Sequence, residues 1–330
     1  MQFKPFLSST RFIDYYSQTN RKFSLVYALL PLASSLMRFR FNTTLRLIRF
    51  ARISKIEEEV TVGRVYSSPI ELLVVCGPQD FPILPLCIKS TLRFSVNPVS
   101  RVMIIVREND VELARKQILN ISGPRNTQIE IVSENDFIPP GARLRLRQKF
   151  GTRYGWILQQ VIKVHYVSQS QAKAVLVIDA DTVLLQPLNG IDLNGNQHLS
   201  YSSEMQKTYR EFLKKIQVPI KRPFFSAVTH HMIIQPAIMR ELLLICEMQD
   251  LDKFTEKLSN FNSKSVVSPI SVDYELYGQY LRARYSNKIN YCHFSNQSKH
   301  RSSEAFQEVE EILNGSKISN FRSFSFHGYL

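Results

Sequence analysis

Cysteine, tryptophan and glycine are scarce in this chain of 330 residues, with four, one and eleven copies. Cys76, Cys87, Cys246 and Cys292 include no CxxC pair, so neither a zinc cluster nor a dense disulfide framework is supported. A reducing, cytoplasmic setting is expected instead. The eleven glycines and fifteen prolines also exclude collagen-like and low-complexity chains.

A long apolar run is also missing. The longest, Ser24–Met37, has about 14 residues and contains Pro31, which is too short for an ordinary membrane-spanning helix. No secretory signal is recognisable at the N-terminus. Because hydrophobic residues still make up 44% of the chain and charged residues 21%, the composition is that of a globular protein with ample core material.

Acidic residues are outnumbered, with 28 against 42 basic residues and a net charge of +14. Such a charge predicts an anionic partner, either a nucleic acid, an anionic membrane surface or a phosphorylated substrate. Residues 1–65 form a basic, partly apolar extension in which six cations follow the apolar stretch without an intervening acid. These are Arg38, Arg40, Arg46, Arg49, Arg52 and Lys55. The pattern favours peripheral contact with an anionic membrane, with a solvated or docked arm as the alternative.

From Glu71 onward, short apolar runs alternate with helical patterns. The predicted strands are Leu72–Cys76, Val102–Val106, Ile129–Val132, Ala174–Ile178 and Met232–Ile234. The predicted helices are Pro82–Phe94, Asp110–Leu119, Trp156–Val167 and Pro236–Met248. This alternation predicts an α/β domain over residues 66–330 with a mostly parallel sheet flanked by helices. The tail beyond them is expected to be rich in loops.

Two carboxylates, Asp179 and Asp181, stand where the fourth strand ends. Ligands of parallel sheets bind at the carboxyl ends of the strands, and two such oxygens can converge on Mg²⁺ or Mn²⁺, which can hold a diphosphate. An Asp-rich turn without metal is the alternative. Upstream, Gln159, Gln160 and Lys163 share one helix face, which is either part of this site or a solvated stripe.

The run VLVIDADTVLL around these aspartates resembles the D-x-D segment of GT-A glycosyltransferases, especially those of the glycogenin and galactosyltransferase type. The string GWILQQVIK at residues 155–163 resembles an uncharacterised bacterial family of GT-A-like proteins. The resemblance continues in THHMIIQP at 229–236 and SVDYELYG at 271–278, and it covers roughly Glu71 to the C-terminus. It implies a GT-A-like catalytic domain.

The resemblance also implies roles for individual residues. Asp181 would bind Mn²⁺ or Mg²⁺, Asp179 would contact the metal or the ribose, and Lys163 would approach the diphosphate. His327 is the preferred third metal ligand and His293 the second choice. Donor contacts are expected from Asp179, Lys163, Gln159, Gln160, Asp80 and His231. The catalytic acids are expected to be Asp273 and Glu275.

Two of these assignments keep alternatives when the residues are considered alone. His230 and His231 stand where relatives have an Asn-Ser-Gly strand, and as strand neighbours they face opposite sides, so at most one lines the site. Asp273 and Glu275 could instead lie in the first turn of a helix and favour its dipole.

The expected reaction is transfer of a sugar from a nucleoside diphosphate donor to a glycan or glycolipid, in bacterial surface polysaccharide synthesis. One alternative is a haloacid-dehalogenase-type phosphatase, because Asp179-Ala-Asp-Thr-Val183 matches D-x-D-x-[TV] with Asp179 as nucleophile. Three strand–helix units precede the motif, however, and a downstream Asp-Asp or Gly-Asp pair is missing. A non-catalytic GT-A-like protein and a nucleic-acid-binding protein complete the alternatives; without a zinc-finger or RNA-binding motif, nucleic acid ranks last.

Overall fold

The computed structural model describes residues 69–119, 121, 127–192, 194–202, 206–220, 226–261, 270–292 and 295–327. The extension of residues 1–65, with its predicted membrane contact, lies outside the described residues, as does His293. Within the described ranges, no helix combines the length and the apolar character needed to cross a membrane.

The described residues form ten strands. They are β1 Ile70–Val75, β2 Val99–Val106, β3 Gln128–Ser133, β4 Val175–Asp179, β5 Thr182–Leu184, β6 Gln197–Ser200, β7 His231–Ile234, β8 Ile289–Cys292, β9 Asn296–His300 and β10 Ser323–His327. The central sheet has the order β3-β2-β1-β4-β7. Its first four strands are parallel, and only β7 runs antiparallel to its neighbour β4.

The same ranges contain nine α-helices. They are α1 Leu84–Phe94, α2 Val111–Ile118, α3 Pro140–Phe150, α4 Tyr154–Gln169, α5 Lys207–Lys215, α6 Pro236–Ile245, α7 Leu251–Ser259, α8 Tyr274–Arg284 and α9 Ser303–Leu313. The prediction of a mostly parallel sheet flanked by helices is confirmed, since all five predicted strands and all four predicted helices are present with shifted ends.

Helices cover both faces of the sheet, which explains why the inner strands β1, β2 and β4 contain continuous apolar runs rather than alternating residues. Leu73 and Val75 of β1 face a core built with α4, α6 and α8. Leu72 and Val74 of the same strand face a second core built with α1 and α2. The strands that end at the site are therefore packed against helices on both faces of the sheet.

The prediction of a loop-rich tail is wrong, because residues after Met248 form α7, α8, α9 and three strands. Strands β5, β10 and β9 form a small sheet beside the central one. In this sheet β10 runs antiparallel to β5, so the C-terminal strand passes next to the aspartate motif. The arginine-rich residues 140–150 form a helix that was not among the predicted ones, α3. Its helical periodicity of apolar residues is weak, because only Ala142 and Leu146 are buried.

Candidate functional site

The aspartate motif occupies the end of β4, the strand between β1 and β7. The four residues before Asp179 are all buried, and Asp179 pairs in register with Val75 at the end of β1. The Asp179 amide donates to the carbonyl of His230 (2.9 Å), and the Phe326 amide of β10 donates to the carbonyl of Asp181 (2.8 Å). Contacts with β1, with the residue before β7 and with β10 therefore fix the backbone of the motif, and its side chains emerge at the carboxyl end of β4.

The carboxyl ends of β1 and β4 border a cleft of about 290 Å³. Its lining residues are Val75, Asp80, Trp156, Gln159, Gln160, Lys163, Asp179, Ala180, Asp181, Tyr209, Val228, Thr229, His230, Ser271, Asp273, Tyr274 and His327. Nine of the residues singled out from the sequence are among them: Asp80, Gln159, Gln160, Lys163, Asp179, Asp181, His230, Asp273 and His327. His231 and Glu275 are not.

Lys163 is the buried centre of an ion-pair network. Its Nζ lies 2.6 Å from Asp179 Oδ1 and 3.3 Å from Asp273 Oδ2, with only 6% of the side chain exposed. Burial alone would lower the pKa of Lys163, but the attraction of Asp179 and Asp273 outweighs it and raises that pKa above its usual value. Lys163 is therefore a permanent cation that holds the β4 carboxylate against the start of α8.

Asp179 has partners on both carboxylate oxygens. The Tyr274 hydroxyl donates to Oδ1 (2.9 Å) beside Lys163, and His230 Nδ1 lies 3.5 Å from Oδ2. Burial opposes ionisation of Asp179, but Lys163 and His230 hold its pKa well below the usual range. The same negative charge, added to burial, raises the pKa of the Tyr274 hydroxyl well above its usual value. Asp179 is thus ionised and fixed in orientation.

The carboxylate of Asp181 has fewer hydrogen-bond and ion-pair partners than that of Asp179. Its Oδ1 accepts from the Thr182 hydroxyl (3.3 Å), and its Oδ2 lies 3.4 Å from His327 Nδ1. His327 comes from β10, and its ring centre is 5.4 Å from that of His230. The C-terminal histidine predicted to approach the motif is thus beside Asp181.

A metal ion can be accommodated at this point. One potential ligand atom from each of Asp179, Asp181 and His230 lies within 4.8 Å of the others. Two carboxylates with an imidazole form a donor set that suits Mn²⁺ or a similar divalent ion. Asp179 has three partners, one of them the buried Lys163 ammonium, and Asp181 has two, so Asp181 is the better direct ligand. The residues fit the ion that the resemblance implies.

Asp80 forms the other wall of the cleft. Its Oδ1 accepts from Arg301 Nη2 (2.5 Å), and Arg301 Nε donates to the carbonyl of Phe326 on β10 (2.9 Å). Burial raises the pKa of Asp80, although Arg301 counteracts the effect. Arg301 therefore ties the loop after β1 to the strand that carries His327.

The two glutamines of α4 differ in their surroundings. Gln160 is buried, and its Oε1 accepts from the Val272 amide (2.7 Å). It thereby fixes the backbone between Ser271 and Asp273. Gln159 is only partly buried and presents its amide to the cleft. The face predicted from the helical spacing lines the cleft, but only Gln159 offers it a partly exposed side chain.

The expected placement of His231 at the donor is corrected by the structure. His231 is the first residue of β7, is 5% exposed and lies outside the cleft lining, whereas its neighbour His230 lines it. Burial lowers the pKa of His231 to about 3, so this imidazole is neutral. Strand alternation explains why only one of the adjacent histidines can face the cleft.

Glu275 also lies away from the cleft. It belongs to the first turn of α8 and is fully buried. Its carboxylate accepts from the Ser226 hydroxyl (2.7 Å), the Ala227 amide (2.6 Å) and Gln279 Nε2 (2.7 Å). Glu275 thus anchors the segment that leads to His230, which is a structural position rather than the catalytic one expected.

The cleft is locally acidic in a strongly basic protein. Its four carboxylates, Asp80, Asp179, Asp181 and Asp273, face the cations Lys163 and Arg301. An excess of carboxylates favours a divalent cation over a bare anion. Sequence reasoning missed Arg301, Tyr274 and Trp156 here. The alignment of Trp156 with Gln159, one helical turn further on, was the signal available for that residue.

The chain belongs to a family of unknown function, DUF6492, whose family model matches residues 79–321. No curated protein matches it. Among solved structures, it is similar to mouse xyloside xylosyltransferase 1 in its apo form, with a TM-score of 0.43, 10% identity and coverage of 78% of this chain and 97% of that one. It is also similar to the apo structure of the bifunctional glycosyltransferase WbbM, with a TM-score of 0.45, 10% identity and coverage of 81% and 47%.

Proposed function

We propose that this protein is a metal-dependent glycosyltransferase of GT-A-like type, formed by residues 66–330. It would move a hexosyl-type sugar from a nucleoside diphosphate donor to a glycan or glycolipid, in bacterial surface polysaccharide synthesis. The observation that carries the proposal is the cluster of Asp179, Asp181 and His230 at the carboxyl end of a central strand, inside a cleft that also contains Lys163.

Mn²⁺ or Mg²⁺ would be held by Asp181 and Asp179 together with His230 or His327. When bound, the ion supplies positive charge that stabilises a diphosphate leaving group. Asp181 has the fewest competing partners of the two carboxylates, so its role is direct ligation. His327 stands on β10 and His230 directly before β7, so the approach of His327 to the cluster depends on the docking of β10 against β5.

In the transfer, the acceptor hydroxyl oxygen forms a bond to the anomeric carbon while the bond from that carbon to the diphosphate oxygen breaks. The hydroxyl proton passes to the departing diphosphate or to solvent. Lys163 lines the cleft and would supply a fixed positive charge near the diphosphate, and its ion pair keeps the Asp179 carboxylate oriented. Because Lys163 is held by Asp179 and Asp273, its charge is preorganised and does not have to be recruited when the donor binds.

Asp273 is the acidic residue proposed to contact the reacting sugar. It lines the cleft, and its carboxylate accepts from the Ser271 hydroxyl (3.2 Å) on Oδ1 and faces Lys163 on Oδ2. These contacts fix the orientation of the carboxylate in the cleft. Gln159 and Asp80, which also line the cleft, are the remaining proposed donor contacts.

The phosphatase alternative requires Asp179 to attack phosphorus. A nucleophilic carboxylate needs an accessible oxygen, but Oδ1 of Asp179 is engaged by Lys163 and Tyr274, and Oδ2 faces His230. Both oxygens of Asp179 therefore already have partners, which argues against Asp179 as the nucleophile. The cleft geometry offers no specific feature in favour of nucleic acid.

Residues 1–65 are proposed to locate the enzyme, at the inner face of the cytoplasmic membrane, near a lipid-linked acceptor. The basis is the count of ten basic against four acidic residues among the first sixty. Each basic residue near an anionic leaflet contributes about 1 kcal/mol. A chain beginning at Val65 should lose sedimentation with anionic vesicles, and attachment of the full chain should weaken with salt.

The test of the proposed activity is a thermal-shift screen of nucleotides and sugar nucleotides with and without Mn²⁺. Stabilisation by a nucleoside diphosphate or its sugar conjugate that requires Mn²⁺ is expected. The ligands that stabilise the protein are then assayed for release of nucleoside diphosphate. Hydrolysis of p-nitrophenyl phosphate without any response to sugar nucleotides would instead support the phosphatase alternative.

A further inference from the structure

Trp156, the only tryptophan of the chain, lies in the wall of the cleft. It stands in the first turn of α4, and 41% of its surface is exposed. The other large exposed apolar residues of the described ranges do not line the cleft; they are Leu113, Leu119, Leu144, Leu244, Ile245 and Ile318. An exposed indole at a cleft mouth offers a flat apolar surface and one N–H donor.

The placement of Trp156 relative to the metal cluster follows from the helix. Lys163 is seven residues further along α4, which is roughly 10 Å of helix rise. Lys163 touches Asp179, whereas Trp156 is at the open end of the same helix. A ligand that extends from the metal cluster along α4 therefore passes Gln159 before it reaches the indole.

The surroundings of the indole match a sugar ring rather than an enclosed base. Gln159 offers an amide to the cleft, and the partly exposed Thr229, whose hydroxyl donates to the carbonyl of His231, offers an oxygen that can accept from a sugar hydroxyl. Gly155, next to Trp156, has no heavy atom within 4 Å of where a side chain would start. The helix surface next to the indole is therefore open to solvent.

On these grounds we infer that Trp156 is the stacking platform of an acceptor sugar, with Gln159 as its polar neighbour. The C–H face of a pyranose ring packs on the indole, and its hydroxyls reach the amide and hydroxyl groups of the cleft. This rests on the proposed function, because it names the substrate class that occupies the acceptor end. The nucleotide then occupies the part of the cleft toward Val75 and Asp80.

The test uses saturation-transfer NMR on the full chain with methyl glycosides of glucose, galactose, mannose and N-acetylglucosamine as probes. At least one glycoside should receive saturation on the protons of one ring face. Trp156→Phe should retain the signal, and Trp156→Ala should weaken the affinity roughly three- to tenfold. Leu144→Ala is the matched control, because Leu144 is 57% exposed but outside the cleft, and it should leave the signal unchanged.

Because the chain has a single tryptophan, its fluorescence gives a second, site-specific measurement. The same glycoside should change the emission of Trp156, while UDP and GDP with Mn²⁺ should bind, by calorimetry, without that change. Emission that responds to the nucleotides and not to the glycosides would overturn the sugar platform, as would a glycoside affinity that Trp156→Ala leaves unchanged. Absence of nucleotide binding by calorimetry would reject the proposed function itself.

Discussion

Replacing Lys163 with methionine removes the cation at the centre of the site while keeping a side chain of similar length. The change leaves Asp273, whose side chain is 5% exposed, and Asp179, 30% exposed, without the ammonium that faces both. Removing one partner of a buried ion pair costs about 3–5 kcal/mol, because the remaining charge is uncompensated. The loss here should fall in that range, since among the described residues the side chain of the more deeply buried acid, Asp273, has only the Ser271 hydroxyl (3.2 Å) as a further hydrogen-bond partner.

Urea denaturation measures the free energy of unfolding of the wild type and Lys163→Met, with Lys253→Met as control. Lys253 is an exposed residue of α7, and its replacement should change stability by no more than about 0.5 kcal/mol. Adding Asp273→Asn to Lys163→Met should recover part of the loss, with a coupling of about 1–3 kcal/mol. A loss below about 1 kcal/mol, or full additivity of the two changes, would refute the buried network.

Three further predictions concern the scaffold around the site. Gly278→Ala should lower the free energy of unfolding in urea by about 1–3 kcal/mol, because a Cβ at this position would lie 2.1 Å from the Cβ of Ala227. Gly155→Ala is the control and should be neutral or slightly stabilising, since no heavy atom lies within 4 Å of a Cβ there. Equal effects of the two changes would count against the close packing of α8. Glu275→Gln should cost about 1.5–3 kcal/mol, because the carboxylate accepts three buried hydrogen bonds, and an unchanged urea midpoint would contradict that role. Hydrogen bonds from Tyr280 and Tyr285 lower the pKa of Glu241 from its ordinary 4.5. This group therefore contributes stability above pH 4.5 that is lost as the pH falls through its lower folded value. In Glu241→Gln the free energy of unfolding should fall less steeply with decreasing pH below 4.5 than in the wild type. The same slope in both proteins would exclude this contribution.

The parallel half of the fold was predictable from sequence because its strands are buried on both faces. Runs such as Val102–Val106 contain no polar residue and end at charged or turn residues, so they stand out from the amphipathic helices between them. Helix α3 was missed because its arginines surround only two buried side chains, Ala142 and Leu146. A helix held by so narrow an apolar stripe has almost no periodic signal.

The site was predictable where it is local in sequence. Asp179 and Asp181 follow one strand, and Gln159, Gln160 and Lys163 share one helix face, so spacing alone places them. Arg301 is different, because it reaches Asp80 across 221 positions, and no pattern links the two. The choice between His230 and His231 depends on the register of β7 against β4, which a single sequence does not specify.

The ion-binding role of Asp181 is the central claim, and calorimetric titration of UDP and GDP in the presence of Mn²⁺ tests it most directly. Asp181→Asn keeps the size of the side chain but removes the negative charge of the carboxylate with the fewest competing partners. The wild type should bind at least one nucleotide only when Mn²⁺ is present, and Asp181→Asn should lose this binding with an unchanged melting temperature. Equal Mn²⁺-dependent affinity in the wild type and in Asp181→Asn would contradict the account.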